Sequence, residues 1–237
     1  MCSRYFLDAD GNIIAYTFRV PVNGPVHKRF NIAPTQVAPV VRVGRDGARE
    51  LAMLRWGLVP PWAGDLKAGT RMINARAEGI ETRPAFREAV KARRCIVPAT
   101  GFYEWQGEPG RKQPYAITVP GEKLFAFAGL WESWRPRGEK GAEPVQTFTI
   151  VTTDANPQVA RIHDRMPVIL PPEAIDIWLH APAEEALKVL SPYATPVDLR
   201  AVGRHVSNVN NEGPECLDDP APAWDEPKQD ERQGKLL

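Results

Sequence analysis

Short runs of β-branched and aromatic residues, broken by glycine and proline, dominate the chain. Such runs at residues 13–19, 38–43, 51–59, 101–106, 115–119, 124–131, 146–152, 168–170 and 197–206 read as strands. Turn-forming clusters at Gly44-Arg45-Asp46-Gly47, Gly107 to Arg111 and Pro120-Gly121-Glu122 read as hairpin connections. Helical spacing is rarer. Residues 84–94 start with a proline suited to a first turn, repeat apolar residues at Phe86, Ala89 and Val90, and end in a basic cluster. Residues 172–180 and 182–190 read as two further helices. Hairpin-joined strands without a regular βαβ alternation predict an α+β fold, mostly antiparallel, with a few helices. No internal repeat and no inner domain boundary is visible.

Composition sharpens this picture in three ways. Proline, 24 of 237 residues, is at about twice its usual share, which predicts a loop-rich domain, with a surface excursion at residues 135–144. A 43% hydrophobic content is enough for one proper core. Residues 214–237 carry seven acidic and three basic residues without apolar periodicity. They are expected to form a disordered acidic tail after a single domain at 1–213. That tail has a net charge of −4, so the overall +1 leaves +5 on the body, which permits a nucleic-acid partner without requiring one.

No apolar stretch approaches the length of a spanning helix, and no basic-then-apolar leader opens the chain, so a cytoplasmic protein is expected. Cys2, Cys95 and Cys216 are widely separated and lack metal-type spacing. They are expected to be free thiols, with no metal, no disulfide and no cofactor. No spare amphipathic helix or heptad run is seen, and a monomer is expected.

The position of Cys2 carries the first chemical hint. Once Met1 is trimmed, one residue presents an α-amine and a thiol on adjacent carbons. At pH 7 about 10% of an α-amine is neutral, against about 0.04% of a lysine, so it is the better imine former. A neighbouring thiol can add to that imine and close a thiazolidine, so the natural substrate is a carbonyl. Met-Cys is also simply one way for a chain to start.

Three companions have the matching residue types. Asn74 lies in Met72-Ile73-Asn74-Ala75-Arg76-Ala77-Glu78, at a strand end or loop where asparagine also serves as a turn former. Glu104, in Gly101-Phe102-Tyr103-Glu104-Trp105, shares a strand face with Phe102; apolar surroundings raise a carboxyl pKa and suit it to proton transfer. His163, in Arg161-Ile162-His163-Asp164-Arg165-Met166-Pro167, is a candidate acid or base near pH 7. A solvent-facing carboxylate and a structural histidine are the plainer alternatives. Arg4, Arg71, Arg76, Arg161 and Arg165 fall in the same neighbourhoods, close to Trp56, Trp62 and Trp105. Arginines grip phosphates and aromatic faces support unstacked bases, as a single-strand groove requires, although scattered arginines and core tryptophans give the same pattern.

Taken in order, Met-Cys-x-Arg-Tyr at the start, Phe30-Asn31-Ile32-Ala33-Pro34-Thr35, Arg55-Trp56-Gly57-Leu58, Ile73-Asn74-Ala75-Arg76-Ala77-Glu78, Gly101-Phe102-Tyr103-Glu104-Trp105 and Ile162-His163-Asp164-Arg165-Met166-Pro167 resemble the SRAP family. These are abasic-site processing proteins, first named SOS-response-associated peptidases. The likeness spans about residues 1–212, including Val206-Ser207-Asn208-Val209-Asn210. It implies a compact α+β domain with a barrel-like sheet and a basic groove over Cys2. It also implies a covalent thiazolidine crosslink between Cys2 and the ring-opened aldehyde of an abasic site in single-stranded DNA, shielding the site from strand cleavage, with the protein at the nucleoid during repair.

In that scheme Asn74 positions the Cys2 amine and the sugar, Glu104 moves protons during imine formation and ring closure, and His163 acts on the sugar hydroxyl as the ring opens. Arg4, Arg76 and Arg165 match phosphate-holding positions, and Pro34 and Trp62 match the place where the strand bends. Two departures stand out. Ser3 replaces a usual glycine, which carries a cost if a positive φ or close approach is needed there, and Ala63 replaces a second tryptophan carried by some members. Two competing readings remain: an N-terminal-nucleophile cysteine peptidase or amidohydrolase, in which the Cys2 amine is the base for its own thiol, and a non-catalytic single-strand binder. Substitution of Cys2 separates them.

Overall fold

The computed structural model describes residues 2–108, 110–136 and 141–220. Among the described residues thirteen strands form two sheets. One is a five-stranded antiparallel sheet in the order β13 (Asp198–Ala201), β8 (Gln113–Thr118), β7 (Gly101–Gln106), β1 (Tyr5–Leu7) and β2 (Arg29–Ile32). In the other, β3 (Val37–Val43), β4 (Arg49–Trp56), β6 (Arg94–Ala99), β9 (Phe125–Trp134) and β10 (Val145–Asp154) close on themselves as a five-stranded barrel. The closing contact is the short parallel pairing of β10 with β4, Thr147 opposite Arg55 and Phe148 opposite Trp56. Three short strands extend the barrel: β5 (Asn74–Arg76) runs parallel to β10, β11 (Arg165–Pro167) antiparallel to it, and β12 (Ile169–Leu170) pairs with β9. The expected α+β, barrel-like and mostly antiparallel domain is what forms.

The main core fills the barrel and its seam with the other sheet. Tyr5 on β1 reaches across to the barrel, its ring 5.3 Å from Trp56 and 6.0 Å from Phe127, both edge-on. Phe102 on β7 meets Phe127 in the same way at 6.0 Å. Each such pair contributes about 0.5–1.5 kcal/mol beyond its area burial. Behind the five-stranded sheet lies a smaller core of Phe6, Tyr103, Ala116, Val202, Val206 and Cys216. All three cysteines are free and buried.

Four local expectations are corrected. Residues 13–19, expected as a strand, form helix α1 (Gly11–Phe18), because Asp10 caps its first turn by accepting from Asn12 N and Ile13 N while Ile14 and Phe18, one turn apart, face the core. The turn at Pro120-Gly121-Glu122 is no hairpin: β8 and β9 belong to different sheets, so it is a corner between them. The segment expected as a strand at 197–206 keeps β-structure only in β13 and then makes a 3-10 turn over Arg204–Ser207. At 182–190 only a short helix, α4 (Ala183–Ala186), forms before a 3-10 turn. Helices α2 (Arg87–Ala92) and α3 (Pro172–His180) fall where expected.

The first part of the expected tail is docked. Pro214–Leu217 makes a 3-10 turn with Cys216 in the smaller core, and Gly203 N–H donates to Asp218 O at 2.8 Å. The remainder, 221–237, lies outside the described residues, as do 137–140 in the expected loop at 135–144. Gly57 shows why the Arg-Trp-Gly-Leu motif needs its glycine. Its φ is +118°, and a Cβ there would stand 2.6 Å from the Gly69 carbonyl oxygen, which packs the 3-10 turn Leu66–Arg71 against the end of β4. Among the described residues no helix is long and apolar enough to cross a membrane.

Candidate active site

The site lies where the two sheets meet. The residues leading into β1 run beside β7, with Tyr103 N–H donating to Arg4 O at 3.0 Å, and Cys2 sits at that point wholly buried. From the barrel side, the parallel pairing of Asn74 with Ile150 fixes β5 so that Asn74 Nδ2 donates to Cys2 O at 2.7 Å. This bond crosses the seam. Asn74 Oδ1 is also buried and has no partner among the described residues, a cost that a folded protein rarely bears without a use.

The Cys2 thiol lies 3.7 Å from Arg4 O, to which it makes a weak donor contact. Burial, and after it the negative charge of Glu104, push this thiol far above its ordinary range. It is therefore held as a neutral S–H.

Glu104 is 4% exposed, and burial raises its carboxyl to about 7, with Lys112 among the positive charges that oppose the rise. The sequence reading of an apolar strand face bears out here: Phe102, two residues earlier, is in the main core. At neutral pH such a carboxyl exchanges protons in both directions.

His163 is placed by a 3-10 turn, Val159–Arg161, with its N–H donating to Val159 O at 2.9 Å. Gln106, at the end of β7, donates to Arg161 O at 2.8 Å and so ties this loop to the strand that carries Glu104. Burial lowers the imidazole below its usual value, while Asp164 works in the other direction. Arg165 N–H donates to His163 Nδ1 at 3.0 Å, so the neutral ring carries its proton on Nε2. Protonated at Nδ1, the ring would instead face Asp164 Oδ1 at 2.9 Å.

Glu104 and His163 line one cavity of about 330 Å³, together with Ser3, Arg4, Trp105 and Lys112. Ser207, from the 3-10 turn after β13, completes the wall, and its Oγ accepts from Trp105 Nε1 at 3.1 Å. This late segment is clasped to β2. Asn31, fully buried, accepts from Arg4 Nη1 at 2.6 Å and donates to the carbonyls of Val206, Asn208 and Asn211, while Glu212 accepts from the N–H groups of Phe30 and Asn31 and from Arg29.

The profile of the family described as "SOS response associated peptidase (SRAP)" matches residues 1–209. The chain belongs to the SRAP family. It is 39% identical over 228 residues to "Abasic site processing protein YoqW" of Bacillus subtilis, covering 92% of this chain and 99% of the relative. It is 35% identical over 227 residues to "Abasic site processing protein HMCES" of Gallus gallus, covering 82% and 67%. A crystal structure of a protein from Bacteroides thetaiotaomicron superposes with a TM-score of 0.82 at 27% identity, covering 93% of this chain and all of the other. Another, from Bordetella bronchiseptica, gives 0.73 at 30% identity over 85% and 100%.

Within this SRAP domain the sequence candidates separate into two groups. Cys2, Asn74, Glu104, His163 and Arg4 converge. Arg4, however, is engaged with protein: besides Asn31, its Nη1 donates to Val206 O at 2.9 Å, and its guanidinium lies 5.6 Å from the Trp105 ring. Arg165 is likewise engaged. It is 7% exposed and donates to both Glu78 oxygens at 2.8 and 2.9 Å, to Asp154 at 2.6 Å and to Thr152 O at 2.8 Å. These bonds hold the residues after β5 against β10 and β11 and occupy both Nη groups of Arg165, while its Nε is buried without a hydrogen-bond partner among the described residues. Arg71, Arg76 and Arg161 are exposed. Pro34 is half-buried and Trp62 is 51% exposed; neither lines the cavity.

Trp56 is a core residue, its Nε1 donating to Ile73 O at 2.8 Å. The two departures from the family pattern are accommodated. Ser3 has no positive φ and lines the cavity, and Ala63 is packed in a satellite core under Trp134, whose Nε1 donates to Ala63 O at 2.9 Å. Among the described residues no cluster of His, Cys, Asp and Glu could hold a metal ion. Sequence reasoning missed Lys112, Ser207 and the Asn31 clasp. The signal for Lys112 was a cation at the end of the hairpin turn that follows the Glu104 strand.

Proposed function

We propose that this SRAP protein acts on abasic sites in single-stranded DNA and, after loss of Met1, forms a thiazolidine crosslink through Cys2. The observation that carries the reading is a buried Cys2, its backbone carbonyl bonded to Asn74 and its thiol neutral, beside a Glu104 carboxyl raised to about 7.

The Cys2 amine adds to the C1′ aldehyde of the ring-opened sugar, giving a carbinolamine. Glu104, protonated, delivers a proton to the carbinolamine oxygen, which leaves as water, so that a protonated imine and the Glu104 carboxylate result. The thiol then adds to the imine carbon; a C–S bond forms, the C=N pair returns to nitrogen, the S–H proton passes to the Glu104 carboxylate and restores the acid, and the five-membered ring closes. Asn74 Oδ1 accepts an N–H of the amine and orients its lone pair. His163 acts as acid or base on the sugar hydroxyl as the ring opens.

The state of the thiol also weighs between readings. A cysteine hydrolase needs thiolate character to attack an amide, and burial works against that here. An imine is electrophilic enough to be trapped by a thiol whose proton is removed as it adds. A binder without chemistry leaves the buried Glu104 and the orphaned Asn74 Oδ1 without a use.

The test is a denaturing gel of the protein, with loss of Met1 verified by mass, after incubation with a single-stranded oligonucleotide containing one abasic site. A shifted band that needs no borohydride, and is absent with Cys2→Ala or with undamaged DNA, is expected. Absence of that band from correctly trimmed protein overturns the reading in favour of an amide hydrolase.

A further inference from the structure

An abasic nucleotide has no base to stack or read, so apart from its aldehyde its nearest handles are the flanking phosphates. The arginines close to Cys2 are already partly committed to protein, Arg4 through its Nη1 to Asn31 and Val206 and Arg165 through both Nη groups to Glu78, Asp154 and Thr152. Lys112 is differently placed. It stands in the cavity wall just before β8, where Gln113 pairs with Gln106, and its side chain is exposed. Among the described residues it makes no hydrogen bond or ion pair, and its charge is felt by both Glu104 and His163. A lysine ammonium is a point charge on a flexible stem, able to follow a phosphate as the neighbouring sugar opens.

We propose that Lys112 grips the phosphate next to the abasic sugar and so seats the strand over Cys2. The assignment rests on the function proposed above and adds to it the residue that reads the backbone at the reacting nucleotide.

The test compares wild type, Lys112→Ala and Lys112→Arg on two oligonucleotides. Binding is followed by fluorescence anisotropy across a salt series, on a strand with a tetrahydrofuran abasic analogue that has no aldehyde. Crosslinking is followed on the true abasic strand as a function of DNA concentration. Loss of one phosphate contact lowers the slope of log affinity against log salt by about 0.7 for a single strand. Lys112→Ala is expected to show that drop, with a higher half-saturating DNA concentration, and Lys112→Arg to restore both the slope and the half-saturation.

An unchanged slope and half-saturation in Lys112→Ala overturns the proposal. So does a lowered maximal rate at unchanged slope, which would assign the lysine to the chemistry instead. If wild type binds the analogue but never crosslinks, the thiazolidine reading fails while the salt slopes still decide the role of Lys112.

Discussion

Asn74 and Cys2 are joined across the seam between the barrel and the five-stranded sheet by one hydrogen bond of 2.7 Å, and the other end of the same amide, Oδ1, is buried without a partner among the described residues. An amide so placed fixes the backbone of Cys2, and in the function proposed above its unused acceptor serves the Cys2 amine.

Asn74→Ala removes both functions. A hydrogen bond of this kind is worth roughly 1–3 kcal/mol when a polar partner is stranded, so single-turnover crosslinking should slow by about tenfold or more. Affinity for a non-reactive abasic analogue should stay close to wild type. Equal loss of affinity and rate would instead point to a collapse of the seam.

Glu104 links pH to both rate and stability. Its folded pKa, about 7, lies above its ordinary value of 4.5. The folded state therefore holds more protons than the unfolded state between those values, and stability falls as pH rises through that window. Each pKa unit is about 1.4 kcal/mol, so the full loss is about 3 kcal/mol. Glu104→Gln removes this term: the melting temperature of the variant should gain on wild type between pH 5 and 7.5, while its crosslinking rate loses the inflection near neutrality. Parallel melting curves at all pH values would contradict the raised carboxyl.

Arg165 is predicted to be structural. Glu78 and Asp154 are well exposed and regain water when the guanidinium is lost. Arg165→Met should therefore cost about 2–3 kcal/mol. Urea unfolding reads this directly. Lysine should rescue poorly, since it cannot reproduce the forked contact with Glu78. A variant as stable as wild type that binds DNA with a reduced salt slope would return Arg165 to the phosphate-binding set.

Thr35 has φ +73°, a left-handed conformation that β-branched residues rarely adopt, with its N–H bonded to Trp56 O at 2.9 Å and its carbonyl accepting from Arg55. Thr35→Asn, which tolerates this region, is expected to raise stability by about 1 kcal/mol. Calorimetry decides it. A loss of stability would mean that the threonine side chain makes good the strain.

Much of this was legible in the chain, and the failures have physical causes. Strand alternation around Phe102 and Glu104 predicted an apolar face and a raised carboxyl, and both are present. Ile13 to Arg19 misled because its β-branched residues outweighed the cap at Asp10, a single side chain that decides the helix. Short strands such as Tyr5–Leu7 and Asn74–Arg76 carry too few residues for a period to show, yet they place Cys2 and Asn74. Composition could mark Arg4, Arg165 and Lys112 as cations. Whether a cation is spent depends on partners such as Asn31 for Arg4 and Glu78 for Arg165, 27 and 87 residues away in the chain, and only folding reveals them.

The clasp between Asn31 and the segment from Val206 to Glu212 also orders events in time. Translation delivers Cys2 long before Ser207, so this wall of the neighbouring cavity is among the last parts to be laid down. In the finished fold Cys2 is buried, and the cavity beside it is complete only when the last part of the domain has been made and docked.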